Sequence, residues 1–117
     1  MTTELFAIDL DDMNELISKL AFRDQLEFCL KSKSSAVLAW ITQSEFMCDN
    51  VALRISENPN ISALIEQKLA RHDYYHVRER IAERTEDKSL LIKLLQDSTV
   101  TVARAAEKRF KELLSLV

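Results

Sequence analysis

The chain has 117 residues, of which 47% are hydrophobic and 30% charged, and its net charge is −3. That length suits one domain around a single core, and that balance excludes a disordered polypeptide. The absence of glycine and the single proline, Pro59, argue against a sheet joined by tight turns, which need positive φ, and exclude glycine-dependent phosphate loops.

Apolar residues recur at helical spacing nearly throughout. Met13, Leu16, Ile17 and Leu20 predict a first helix, with Asp9, Asp11 and Asp12 as acidic residues at its start. Those acids are not followed by the glycine and terminal glutamate of a calcium loop. Phe22, Leu26, Cys29 and Leu30 predict a second helix that ends at KSKSS. Val37, Leu38 and Ile41 predict a third, starting after Ser34 or Ser35, with Trp40 read first as a core residue. A fourth covers roughly residues 47–57, until Asn58-Pro59-Asn60 breaks it. Ile61, Leu64, Ile65 and Leu69 form a short fifth, and Asp73 is the expected cap of a sixth that carries Val77 and Ile81. Leu90, Leu91, Leu94 and Leu95 give a seventh. A long eighth follows Asp97 or Ser98 with the stripe Ala103, Ala106, Phe110, Leu113, Leu114, Val117. Short polar connections make these eight helices four antiparallel hairpins.

The second half of the chain repeats the rhythm of the first. NVALRISENPN at 50–60 aligns with HVRERIAERTE at 76–86, pairing Val51 with Val77, Arg54 with Arg80, Ile55 with Ile81 and Glu57 with Glu83. TVARAAEKR at 101–109 places Val102 on Val77 and Ala106 on Ile81, and in the preceding helices Leu38 aligns with Leu64 and Leu64 with Leu90. One such helix pair cannot bury its apolar face alone, whereas stacked pairs bury it between neighbours.

In LIKLLQDSTVTVARAA (91–106) and HVRERIA (76–82) the chain resembles HEAT-like repeats, and more closely the short leucine-rich-repeat-variant type. The resemblance covers about residues 34–110. It implies an all-α fold, a short right-handed α-solenoid of about four antiparallel helix pairs. Residues 1–33 would form a divergent N-terminal cap, and 34–60, 61–87 and 88–117 the repeats. The Val-Arg dipeptide of the family pattern is intact at Val77-Arg78 but becomes Val51-Ala52 and Val102-Ala103. An arginine ladder along the stack is therefore expected to be incomplete. At fold level the chain also resembles alkylpurine DNA glycosylases built from HEAT-like repeats. Those are considerably longer, and no catalytic acid or aromatic cleft is matched here.

The densest chemistry is HDYYHVRERIAER at 72–84, with both histidines, both tyrosines and three arginines. His72 and His76 have the i, i+4 spacing of metal ligands on one helical face. A cap at Asp73 would leave His72 in the turn, and no third ligand or H-E-x-x-H signature accompanies them. Glu79, Glu83 and Glu86 interleave with the arginines and would neutralise them as helix-surface pairs. The structural reading therefore has Val77 and Ile81 in the core, Arg78 bonded to the inter-repeat turn, and the remaining charges solvated.

Cys29 and Cys48 are too few for a disulfide framework; both lie among apolar residues and are expected to be buried free thiols. The first residues, MTTELFAIDLDD, carry neither the basic region nor the apolar stretch of a signal peptide or membrane span. A cytoplasmic protein with no membrane partner is expected. No group of residues assembles a nucleophile, a base and an orienting partner, so no catalytic, cofactor or metal residues are assigned and the chain is read as non-enzymatic.

Within these limits the leading expectation is a protein–protein interaction module, a small adaptor or inhibitor. Its solenoid surface would use Trp40, Tyr74, Tyr75, Arg78 and Arg80, because aromatics and arginines dominate interface energies. The alternative is nucleic-acid binding. Residues 1–60 carry ten acids and five bases, residues 61–117 nine acids and eleven bases, so phosphate contacts would fall to Lys88, Lys93, Arg104, Lys108, Arg109 and Lys111. The apolar LLSLV at the end of the chain either folds back on the core or makes a homodimer through the C-terminal helix.

Overall fold

The computed structural model describes residues 20–44 and 47–115. The expected helix over Met13 to Ile17 with its acids at 9, 11 and 12, and the terminal Leu116 and Val117, lie outside the described residues. Among the described residues the chain is all-helical, with seven helices and no strand. These are α1 (Phe22–Lys31), α2 (Ser35–Thr42), α3 (Asp49–Glu57), α4 (Ala63–Leu69), α5 (Tyr75–Arg84), α6 (Lys88–Leu94) and α7 (Val100–Ser115).

The short helices begin where a side chain can take the free N–H groups of a first turn. Ser34 Oγ accepts from Val37 N–H at 3.3 Å, Ser62 Oγ from Ile65 N–H at 3.3 Å, and Asp87 Oδ1 from Leu90 N–H at 3.2 Å. The start of α5 departs from expectation. Its N-cap is Tyr74, with no side-chain cap bond; Asp73 does not cap it. His72, in the turn, acts instead through Nδ1, which accepts Tyr74 N–H at 3.1 Å. Asp97 does the same before α7, where its Oδ1 accepts Thr99 N–H at 2.9 Å.

α1, α3, α5 and α7 form a row in which each packs against the next. α4 packs on α3 and α5, and α6 on α5 and α7. The molecule measures 43 × 28 × 18 Å. The aligned columns Val51, Val77, Val102 and Ile55, Ile81, Ala106 lie at the centre of the core. Val51, Val77 and Val102 are no more than 1% exposed, and Ile55, Ile81 and Ala106 are fully buried.

In the short helices the register differs from the alignment of Leu38 with Leu64 and Leu90. Leu64 is 73% exposed while Leu38 is fully buried. Counting from the caps Ser34, Ser62 and Asp87 puts Val37, Ile65 and Leu90 in one column and Ile41, Leu69 and Leu94 in another, all buried. A third column reads Leu38, Glu66, Leu91, so α4 carries a carboxylate where its neighbours bury a leucine.

The cysteines divide. Cys29 is buried, and desolvation, with a smaller push from the charge of Cys48, raises its thiol to about 11, leaving it protonated and inert near neutrality. Cys48 is exposed, against expectation, because the N-cap position of α3 stands off that helix's buried stripe. Among the described residues no helix is long and apolar enough to cross a membrane.

Candidate partner-binding surface

Two edges of the row use their polar side chains to hold adjacent helices together. At the carboxyl edge each helix reaches back to the end of the one before it. Asn58, at the end of α3 and fully buried, donates from Nδ2 to Cys29 O at 2.9 Å and Ser32 O at 2.8 Å, the free carbonyls ending α1. Its Oδ1 accepts Asn60 N–H at 2.8 Å. Arg84, ending α5, donates from Nη1 to Ser56 O at 3.0 Å and to Asn58 O. Arg109, on α7, donates from Nε to Thr85 O at 3.1 Å and from Nη2 to Arg84 O at 3.4 Å. Helix carboxyl ends leave carbonyls without partners and carry partial negative charge, so amide and guanidinium donors are well matched to them. In the sequence alignment these three residues share one column, and that shared column of donors was the available signal.

Behind this edge Glu66 lies half-buried, accepting Thr85 Oγ1–H at 3.2 Å and facing Arg84 Nε at 3.5 Å. Burial raises its carboxyl above the usual range, opposed by the charge of Arg84 and the Thr85 hydrogen bond.

The amino edge is closed by Arg78. Its guanidinium donates to His72 O at 2.7 Å and Asp73 O at 3.0 Å, to Asp97 Oδ2 at 2.8 Å and Oδ1 at 3.2 Å, and to Thr99 Oγ1 at 3.1 Å. One side chain thus ties the turn before α5 to the turn before α7. The Arg78 and Asp97 side chains are 14% and 10% exposed. Burial alone would raise the Asp97 carboxyl, but the hydrogen bonds from Arg78 and Thr99 bring it below its ordinary value. The aligned Ala52 and Ala103 leave this clamp as a single step.

The other expected binding residues are distributed around this frame. Trp40 is half-buried on α2 and packs against the core. Tyr74 also packs against the core, while Tyr75 is 39% exposed. His76 stacks between them, its ring centre 5.1 Å from Tyr74 edge-to-face and 4.2 Å from Tyr75. His72 lies outside the helix, so the two histidines do not share a helical face. Arg80 faces Glu83 at 3.2 Å, Glu57 at 3.7 Å and Glu79 at 3.8 Å, and Arg54 faces Glu57 at 3.4 Å, so this strip of α3 and α5 neutralises itself.

Of the basic residues, Lys88, Lys93, Arg104 and Lys108 are exposed. Lys111 pairs with Glu107 at 3.0 Å, and Arg109 is committed to the end of α5. Leu113 of the terminal stripe is buried and Leu114 is 50% exposed. Between α2 and α4 a groove of about 450 Å³ is lined by Ala39, Leu64, Ile65, Lys68 and Arg71, among others. No protein-family model, curated protein or solved structure matches this chain.

Proposed function

We propose that the chain is a short right-handed α-solenoid of the HEAT-like type that serves as a non-enzymatic, cytoplasmic protein-interaction module. Buried columns recurring every 25 or 26 residues support the repeat reading, as does the row of helices tied end to end by Asn58, Arg84 and Arg109. The observation that carries the functional reading is the ring cluster at the start of α5. Tyr75 is presented to solvent while Tyr74, seated against the core, and His76 hold its ring in place. A rigid, amphipathic aromatic gives contact area at low entropy cost, which is what interface anchors require. Arg78 is the residue of the expected set least suited to direct contact, since its donors are engaged within the chain.

The test is capture of partners by the tagged chain from its native lysate, with and without nuclease. A stoichiometric protein that survives nuclease and moderate salt is expected. Tyr75→Ala should weaken its binding by about 2 kcal/mol, roughly 30-fold, with little change in stability. Recovery of nucleic acid that is lost on nuclease or salt treatment would sink this reading and favour Lys93, Arg104 and Lys108 as phosphate contacts.

A further inference from the structure

The groove between α2 and α4 differs from the rest of the surface in two ways. First, it holds an apolar side chain that the fold does not ask for. Counted from the caps, the second helical position is Ala36 in α2, Leu64 in α4 and Ser89 in α6. The neighbours put a small or polar residue at this outward position, whereas α4 puts a leucine there with 73% of its surface exposed. An isolated exposed leucine is ordinary, but this one forms part of a concave lining with Ala39 and the core residue Ile65.

Second, the groove is one-sided in charge. Lys68 and Arg71 stand in its lining and no acid does. The acid of α4, Glu66, is turned inward to Arg84 and Thr85. On the strip formed by α3 and α5, by contrast, Arg80 faces Glu57, Glu79 and Glu83. The groove's volume of about 450 Å³ lies within the range of ligand-binding clefts, as do hollows of about 330 and 590 Å³ elsewhere on the surface. Arg71 also lines a smaller groove of about 180 Å³ between α4 and α6, so it stands at the junction of the two.

We infer that this groove docks an acidic peptide segment of a partner protein, and this inference rests on the interaction-module reading above. An apolar side chain of the segment seats on Leu64 and the half-buried Ala39. Carboxylates beside it meet Lys68 and Arg71, where a charge-assisted pair is stronger than a neutral hydrogen bond. The complementary charge selects the partner and speeds encounter, while the apolar contact limits dissociation.

The experiment uses the full chain, labelled with ¹⁵N, and two synthetic peptide pools. One pool has a fixed Leu or Phe flanked by Asp and Glu; the other has the same centre flanked by Lys and Arg. The acidic pool should shift the amide signals of Leu64 to Arg71 and of Ala39 to Gln43, and the basic pool should leave them in place. The double variant Lys68→Glu with Arg71→Glu should lower the affinity at least tenfold, and Leu64→Ser should do likewise, with unchanged denaturation curves to show that each still folds. Equal binding of the basic pool, shifts confined to the tyrosine cluster or to α7, or no shifts at millimolar peptide would overturn the groove as the docking site. The lysate capture separates the two levels. A partner retained by the double variant but lost by Tyr75→Ala removes the groove and leaves the module. A chain that captures no protein at all removes the module reading itself.

Discussion

The carboxyl edge of the helix row and the face between α2 and α4 use the same kinds of residue in opposite ways. At the edge, Asn58, Arg84 and Arg109 aim their donors at the carbonyls that the preceding helix leaves open. On the short-helix face, Lys68 and Arg71 line a groove without an acid, beside an exposed leucine. The difference teaches where a polar residue in a stacked-helix protein is structural and where it is available to a partner. Cations that complete a neighbour's helix end are part of the frame; cations left facing an apolar hollow are not.

The sharpest way to break this comparison is Asn58→Ala. The side chain is fully buried, and its removal strands the carbonyl of Cys29 and also takes away one of the two donors to Ser32 O and the acceptor of Asn60 N–H. The orphaned buried carbonyl costs about 1–3 kcal/mol and each of the two part-buried bonds about 0.5–1.5 kcal/mol, so a loss of about 3 kcal/mol is expected for the set. It should appear as a lower urea midpoint with an unchanged slope. A loss below about 1 kcal/mol would mean that the row is held by its apolar columns alone.

The next largest effect belongs to the amino edge. Asp97→Asn removes the charge that the nearly buried Arg78 guanidinium faces, and about 2 kcal/mol should be lost near neutrality. Because the folded Asp97 carboxyl sits below its unfolded value, its contribution is present above the ordinary carboxylate range. It disappears as pH falls through the lowered folded value. Stability measured from pH 7 to 2 should therefore fall less steeply at the acid end in Asp97→Asn. Glu66 works with the opposite sign. Its folded carboxyl is raised, mainly by burial, so protonation favours the folded state and this contribution grows as pH falls through the raised value. Glu66→Gln should remove that gain while changing stability at neutral pH by less than about 1 kcal/mol.

Much of this frame was legible in the sequence, and the failures have physical causes. The helices from Phe22 onward follow from apolar spacing, and the break at Asn58-Pro59 from the missing proline donor. The columns of Val51, Val77 and Val102 are found by alignment because burial keeps residue type and size. The role of Asn58 shows in the sequence only as a column shared with Arg84 and Arg109, which names no partner. A helix-breaking asparagine and one that bonds two carbonyls 26 and 29 residues away look the same until the helices are stacked. Arg109 stands among the phosphate contacts of the alternative reading for the same reason, since charge is written in the sequence but its bonds to Arg84 O and Thr85 O are not. Asp73 looked like a cap because aspartate is the usual cap residue, yet His72 supplies the acceptor one residue earlier. The exposure of Leu64 was hidden by identity, because a leucine aligned with leucines suggests a core position. Only the cap register, set by the backbone N–H groups that Ser62 and Asp87 accept, moves it to the outward column.

Leu64→Ser is for that reason the mildest change and the most discriminating for the groove. If the outward column is correct, the leucine buries little surface in the folded chain, and serine there matches what α6 carries at Ser89. Surface substitutions of this kind stay within about 0.5 kcal/mol. The same change at Leu91, fully buried in α6, should cost at least the 2–5 kcal/mol of a large-to-small core substitution. Two leucines in adjacent short helices would then differ several-fold in what they contribute to stability. A loss above about 1.5 kcal/mol at Leu64 would mean that its side chain packs against α2 and closes the hollow. The face would then belong to the frame like the carboxyl edge, and Lys68 and Arg71 would have no apolar contact beside them to offer a partner.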